Sequence, residues 1–362
     1  MSIAIGGNSV SKMYVGSTEI TKAYIGDTLV YGGTHPTIPN YLRFKALEAS
    51  TIGMTSGLAT FPDLEYSADA DTWTTWDGSA ISLAAGGEIY LRGVNTTLGT
   101  GVNVVSTFTM SGSVEAHGNI MSLLYGANFA GELTIPSTYC FYKLFWNCTS
   151  LVSSPELPAT TMKERCYGMM FYGSGITTAP SLPATTLDKY CYYQMFYGCN
   201  KITTSPSLPA TIMSYGCYYQ MFYDCTELIN PPVLPSTSLQ QNCYQAMFAG
   251  CSKLATAPQL PATTLQQNCY RQMFRNCTSL TTAPDLPATS LVNACYYQMF
   301  DGCTSLNYIK SMFTTTPSST YTRYWVRKVS ATGTFVKNIA ATWNVTGNDG
   351  IPSGWTVQTA SE

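Results

Sequence analysis

The sequence has little charge: only 10% of its 362 residues are Asp, Glu, Lys or Arg, and the formal net charge is -2. Binding to nucleic acid or to an anionic membrane depends on clustered cationic side chains. The composition therefore predicts neither kind of partner. A chain so poor in charge must expose hydroxyl and amide groups instead, and it is rich in tyrosine, with 26 residues.

Histidine is almost absent: the only two residues are His35 and His117. Both lie outside the repeats described below, so no Cys–His dyad can form within those repeats. The carboxylates of the repeats are isolated, and there is no phosphate loop, dinucleotide fingerprint or nucleophile elbow. A zinc site is not supported either, because no C-x-x-C pair occurs. We therefore predict a protein that is not an enzyme and that has no cofactor, no catalytic residue and no metal.

Long apolar runs are also missing, since nothing approaches the ~20 apolar residues of a transmembrane helix. The N-terminal segment MSIAIGGNSVSKMYVG has no basic start followed by an apolar core, so it does not resemble a signal peptide. From these features we expect synthesis in a cytoplasm, no export by the ordinary secretory route and no membrane insertion. A signal removed from the chain would undo this expectation.

The cysteines, by contrast, are numerous and reveal an internal repeat. Seven of them recur every 25 or 26 residues, at Cys140, Cys166, Cys191, Cys217, Cys243, Cys269 and Cys295. A second set follows eight residues behind, at Cys148, Cys199, Cys225, Cys251, Cys277 and Cys303, and Ser174 takes this place in the second copy. The unit reads roughly C-Y-x-x-M-F-x-x-C-x-x-L-x-x-x-P-x-L-P-A-T-x-L. Its period falls in the range of leucine-rich repeats.

The spacing of apolar residues within a unit predicts a short helix and then a short strand. In the fifth copy the apolar residues between Leu239 and Phe248 stand at offsets 0, 4, 5, 8 and 9, which fit one helical face. Gly198 and Asp224 precede the second cysteine and tolerate the left-handed conformation that ends a helix. We therefore predict an α/β leucine-rich-repeat solenoid of about seven 26-residue turns, preceded by small all-β modules.

The cysteines are interpreted as small apolar residues of the solenoid core. Eight residues of helix would separate the two sulfurs of one unit, which disfavours a disulfide within it. Pairing between neighbouring units stays open, although it would leave an odd cysteine.

Outside the repeats, alternating β patterns and turn residues define further segments. The doublet KMYVGSTEI and KAYIGDTLV near the N-terminus cannot form a core alone, so we expect it to pair with another chain. The predicted domains are an attachment or oligomerisation module at 1–33, a linker at 34–40, a β-sandwich-like domain at 41–117, an N-terminal cap at 118–139, the repeats at 140–313 and a C-terminal cap at 314–362.

The repeat unit resembles the BspA-type leucine-rich repeats of gut Bacteroidales surface proteins and of their phages, over roughly residues 118–357. The Lys-x-Tyr-x-Gly doublet resembles short modules at the start of phage tail or head fibre proteins. Together these resemblances imply a virion fibre protein that recognises a host surface. Homo-oligomerisation, as a trimer, is implied in the same way, and so are contacts to other virion proteins through residues 1–33.

Two residues of each repeat, at offsets 2 and 6 from the first cysteine, would point outward on a helix. They include a candidate binding set of aromatics: Tyr142, Trp146, Tyr172, Tyr193, Tyr197, Tyr219, Tyr223 and Tyr297. Such side chains can anchor a glycan or a protein, or they can pack on neighbouring helices or another protomer. The side of the predicted strands is a rival binding face.

The first functional hypothesis is a phage receptor-binding fibre protein in the virion, made in the host cytoplasm and directed at a cell-surface glycan or protein. The alternatives are a bacterial surface adhesin of the BspA-like type and, more remotely, a glycan-cleaving tailspike.

Overall fold

The computed structural model describes residues 39–360 and six short strands that precede them. The chain divides into two compact units, Met1–Asn40 and Tyr41–Glu362. The first unit holds three two-stranded antiparallel hairpins: β1 (Ala4–Ile5) with β2 (Asn8–Ser9), β3 (Met13–Val15) with β4 (Thr18–Ile20), and β5 (Lys22–Ile25) with β6 (Thr28–Gly32). Each half of the doublet is thus a hairpin. Most of the linker predicted at 34–40 lies outside the described residues.

Two antiparallel sheets open the second unit. One has the order β10-β9-β12-β7-β15 and the other β11-β8-β14-β13. Their strands are β7 (Leu42–Ala46), β8 (Ser50–Ser56), β9 (Leu64–Ser67), β10 (Thr74–Trp76), β11 (Ile81–Leu83), β12 (Glu88–Gly93), β13 (Gly99–Gly101), β14 (Val104–Ser111) and β15 (Val114–His117). Phe44 of β7 meets Phe108 of β14 at 5.0 Å between ring centroids, so the sheets share a core. The turn at Gly86-Gly87 connects β11 to β12, which belong to different sheets.

Both sheets continue into the repeats. The backbone N–H of Phe108 donates to Leu144 O at 2.8 Å, and that of Val114 donates to Ser150 O at 2.9 Å. The first repeat therefore bonds to β14 of one sheet and to β15 of the other. One apolar core runs from Tyr41 through the repeats to Trp355.

The predicted α/β leucine-rich-repeat solenoid is wrong: the regular structure is almost entirely β, and the repeats contain no helix. Among the described residues only α1 (Ser122–Tyr125) is α-helical, and a 3₁₀ turn, Gly126–Asn128, follows it. Each predicted helix is replaced by a chain of tight turns, which we call the turn ribbon of its repeat. In the third copy the ribbon is Tyr190–Cys199.

Hydrogen bonds define the turn ribbon. Every second N–H leaves the repeat: Tyr192 donates to Cys217 O at 3.0 Å and Gln194 to Tyr219 O at 2.9 Å. The N–H groups between them close turns within the ribbon, as Tyr193 does to Tyr190 O at 3.1 Å. The backbone hydrogen bonds of an α-helix lie within the helix, whereas this ladder ties each repeat to the next.

The backbone of the ribbon turns left-handed at every fourth residue. In the third copy φ is 53° at Tyr190, 49° at Gln194 and 68° at Gly198. This period of four explains the wrong prediction of a helix. Counted from the first cysteine of a unit, the apolar residues stand at offsets 0, 1, 4, 5 and 8, which also repeat every four residues. On a helix the same offsets cover an arc of about 140°, so they fit either structure.

Stacked side chains fill the space behind the ribbons. Phenylalanines from successive repeats lie almost parallel, and the Phe222 and Phe248 ring centroids are 5.7 Å apart at 1° between planes. Tyrosines form a second buried stack, with Tyr218 and Tyr244 at 5.8 Å. The core residues predicted for the fifth copy, such as Cys243 and Met247, are indeed buried.

All thirteen cysteines are buried and free. Those of the second set donate their S–H groups to phenylalanine carbonyls of the preceding repeat, except that Cys148 donates to Phe108 O of β14. The Sγ of Cys199 lies 2.9 Å from Phe171 O, and the Sγ of Cys225 lies 3.0 Å from Phe196 O. These thiols therefore satisfy buried carbonyl groups.

The stack extends beyond the seventh copy. Gln298 N donates to Arg323 O and Phe300 N to Trp325 O, so an eighth ribbon lies within the predicted C-terminal cap. On the other side of the core, β16 (Tyr308–Ser311), β17 (Thr334–Lys337) and β18 (Thr356–Thr359) form a parallel sheet. No helix among the described residues is long and apolar enough to cross a membrane.

Candidate functional site: the outer face of the turn ribbons

The side chains at offsets 2 and 6 form two outer columns, which together we call the outer face. By the hydrogen-bond register, the first column is Tyr142, Gly168, Tyr193, Tyr219, Gln245, Arg271, Tyr297 and Arg323. The second column is Trp146, Tyr172, Tyr197, Tyr223, Ala249, Arg275, Asp301 and Arg327. The predicted aromatic set therefore lies on one surface, although a turn ribbon and not a helix supports it.

Exposure differs within the predicted set. Trp146 is 40% exposed, and the tyrosines at 172, 193, 197, 219, 223 and 297 are half-buried. Tyr142 is buried, at 3% exposure. Its ring covers Gly168 of the next repeat, where a Cβ atom would lie 2.8 Å from the ring. Tyr142 thus fills the place of an absent side chain and does not face solvent as predicted.

The tyrosines of the second column stack on each other. The ring centroids of Tyr172 and Tyr197 are 4.5 Å apart at 9°, and those of Tyr197 and Tyr223 are 4.7 Å apart at 5°. Ring faces that cover one another cannot stack on a sugar. What this column exposes is therefore ring edges and hydroxyl groups. The tyrosines of this column do pack on neighbouring repeats, whereas the anchoring of a ligand stays a prediction.

Three hydroxyl groups of this surface, those of Tyr193, Tyr197 and Tyr219, hold their protons more firmly than a free tyrosine does. Burial, together with the smaller effects of the neighbouring Tyr172 and Tyr223, raises the pKa of Tyr197 to about 12. Burial also raises the pKa of Tyr193 and of Tyr219. A protonated hydroxyl both donates and accepts hydrogen bonds, so the face suits a ligand rich in hydroxyl groups.

Between the two columns, glutamine side chains link neighbouring repeats. Gln194 Nε2 donates to Gln220 Oε1 at 2.6 Å, and Gln272 Nε2 donates to Gln298 Oε1 at 2.7 Å. These bonds lie along the stack between the tyrosine columns and help to fix the spacing of the hydroxyl groups.

Sequence reasoning missed a cluster beside the first column. The Arg165 guanidinium lies 4.1 Å from the ring centroid of Tyr190 and 5.5 Å from that of Tyr193. Tyr215 packs edge-on against Tyr190 at 5.2 Å. The sequence does contain a signal for this cluster. The residue before the first cysteine varies between repeats as much as the residues of the outer columns do.

A separate cleft of about 470 Å³ lies where β15 meets the first repeats. His117 lines it, and His117 Nε2 is 3.2 Å from Glu115 Oε2. The Ser153 hydroxyl is engaged with the Ala116 backbone, to whose carbonyl it donates at 2.9 Å. The Ser153 hydroxyl is therefore committed to the backbone. Among the described residues no group of three His, Cys, Asp or Glu side chains could hold a metal.

Neither a scan against protein-family models nor searches of curated proteins and of solved structures found a match.

Proposed function

We propose that this chain is a non-enzymatic recognition protein whose outer face binds a hydroxyl-rich ligand on a cell surface. The observation that carries the proposal is the regular array of half-buried tyrosine hydroxyls held by a backbone ladder. A preformed array costs little entropy on binding, because its side chains are already ordered by stacking.

The buried thiols support a role without catalysis. All thirteen thiols are buried, and burial raises their pKa, so none is a ready nucleophile at the surface. The N-terminal hairpins fit an attachment role, and their resemblance to phage fibre modules makes a virion the proposed setting. A bacterial cell surface is the alternative setting.

Replacing the hydroxyls tests the proposal without disturbing the stacks. We expect Tyr193→Phe, Tyr197→Phe, Tyr219→Phe and Tyr223→Phe together to weaken binding about tenfold or more, because each lost hydrogen bond contributes roughly 1 kcal/mol. The measurement is binding of the full chain to a glycan array and to intact gut Bacteroidales cells.

The matched control is Tyr167→Phe with Tyr192→Phe. Those two hydroxyl groups are buried and have no hydrogen-bond partner among the described residues, so their loss should leave binding unchanged. Equal binding by the four-residue variant and the unaltered chain would contradict the proposal.

A further inference from the structure

Four of the seven arginines of this chain stand together at the C-terminal end of the outer face. In the first column Arg271 and Arg323 flank Tyr297, and in the second column Arg275 and Arg327 flank Asp301. The arginines thus occupy the corners of a two-by-three array. With neighbouring backbones about 4.8 Å apart, arginines of one column lie roughly 10 Å from each other.

Asp301 neutralises only one of these charges. It accepts two hydrogen bonds from Arg327, at 2.8 and 2.7 Å, and lies 3.6 Å from Arg275 Nε. Its side chain is only 3% exposed, so it holds the two arginines in place from below. The next carboxylate, Asp349, accepts the backbone N–H of Tyr324 at 2.7 Å. The array as a whole therefore keeps a positive charge.

Arg271 and Arg323 have no ion pair among the described residues. Arg271 lies 4.4 Å from the ring centroid of Tyr297, and its Nε is buried without a hydrogen-bond partner in the described part of the chain. Arg323 is exposed. A flat guanidinium ordered over an aromatic ring presents its terminal N–H groups in the fork geometry that binds a carboxylate bidentately.

We propose that this array binds the carboxylates of an acidic polysaccharide that extends along the outer face. The inference rests on the proposed function and specifies its ligand class. Hydroxyl groups of the sugars would meet the tyrosines of the earlier repeats, and carboxylates would meet Arg271 and Arg323. The low net charge of the chain conceals this site, because the charge is local.

The test uses the full chain with polygalacturonate as the probe. Its methyl ester has the same sugar backbone without the charge, and dextran sulfate and inorganic polyphosphate offer other anions. We expect binding to polygalacturonate to exceed binding to the ester, and Arg271→Gln with Arg323→Gln to weaken it about tenfold or more. Lys189→Gln with Lys201→Gln removes the same charge from exposed positions elsewhere and should change little.

Equal binding of polygalacturonate and its ester, or of the arginine variant and the unaltered chain, would overturn the inference. Tighter binding to polyphosphate or dextran sulfate would overturn the carboxylate assignment. The four-tyrosine variant separates the two proposals. If the four-tyrosine variant loses binding to neutral glycans while the arginine variant binds every ligand as the unaltered chain does, the proposed function stands and this inference fails.

Discussion

We expect the protein to lose its stability steeply between about pH 9 and pH 10, because thirteen buried thiols must ionise when it unfolds. Burial raises the pKa of all thirteen above the ordinary 9.0, to about 12 at Cys166 and Cys217. A group whose folded pKa is raised stabilises fully below its unfolded pKa, and this stability is lost as the pH rises toward the folded value. Each thiol then costs roughly 1 kcal/mol per pH unit. Together they remove well over 10 kcal/mol by about pH 10, as much as many domains have in total.

Denaturant unfolding at pH 8, 9, 9.5 and 10 checks this expectation, because it gives the slope of the unfolding free energy against pH. The matched variant is Cys199→Ser, Cys225→Ser and Cys251→Ser, since serine already occupies the equivalent position 174 and keeps a donor for the phenylalanine carbonyls. Its slope should fall by about a quarter, in line with three fewer ionising groups. An unfolding free energy that stays constant from pH 8 to 10 would contradict the burial of the thiols.

Phe222→Ala should destabilise the protein by about 3–5 kcal/mol, the usual cost of emptying a buried aromatic site. Phe222 is fully buried and lies between Phe196 and Phe248, whose ring centroids are 5.5 and 5.7 Å from its own. The stack cannot collapse into the cavity, because backbone hydrogen bonds fix the distance between repeats. Denaturant unfolding at pH 7 measures the loss.

Tyr223→Ala is the control for that substitution. Tyr223 follows Phe222 in the chain but lies half-buried on the outer face, with Tyr197 stacked on it at 4.7 Å. Its removal should cost roughly 1 kcal/mol, the order of one exposed aromatic pair. Similar losses of unfolding free energy for Phe222→Ala and Tyr223→Ala would show that the core does not lie behind the ribbon.

The repeat register and the core positions could be predicted from sequence, but the backbone conformation could not. Cys243, Tyr244, Met247 and Phe248 are all buried as expected, because apolar spacing reports which side of a segment faces the core. Spacing does not distinguish a period of 3.6 from one of four over nine residues. Gln194 and Ala246, which adopt positive φ, give no warning, since such residues usually favour helices.

The candidate site was predicted in part for a related reason. The outer columns follow from the register alone, so they survive the change from helix to turn ribbon. Arg323 and Arg327 were missed because their repeat has Thr322, Trp325 and Val326 at core positions, and these residues do not match the cysteine, methionine and phenylalanine pattern. The burial of Tyr142 depends on the missing side chain of Gly168 in the next repeat, a contact between repeats.

The turn ribbon itself is tested most directly by comparing glycine and alanine at position 272. Gln272 has a φ of 57°, so both substitutions remove the same amide and differ only in their tolerance of this conformation. In the left-handed conformation Gln272→Gly should be more stable than Gln272→Ala by about 1 kcal/mol. In an α-helix alanine would be the more stable by about 1 kcal/mol. The free energies of unfolding of these two variants are therefore predicted to favour glycine, and a result that favours alanine would contradict the ribbon.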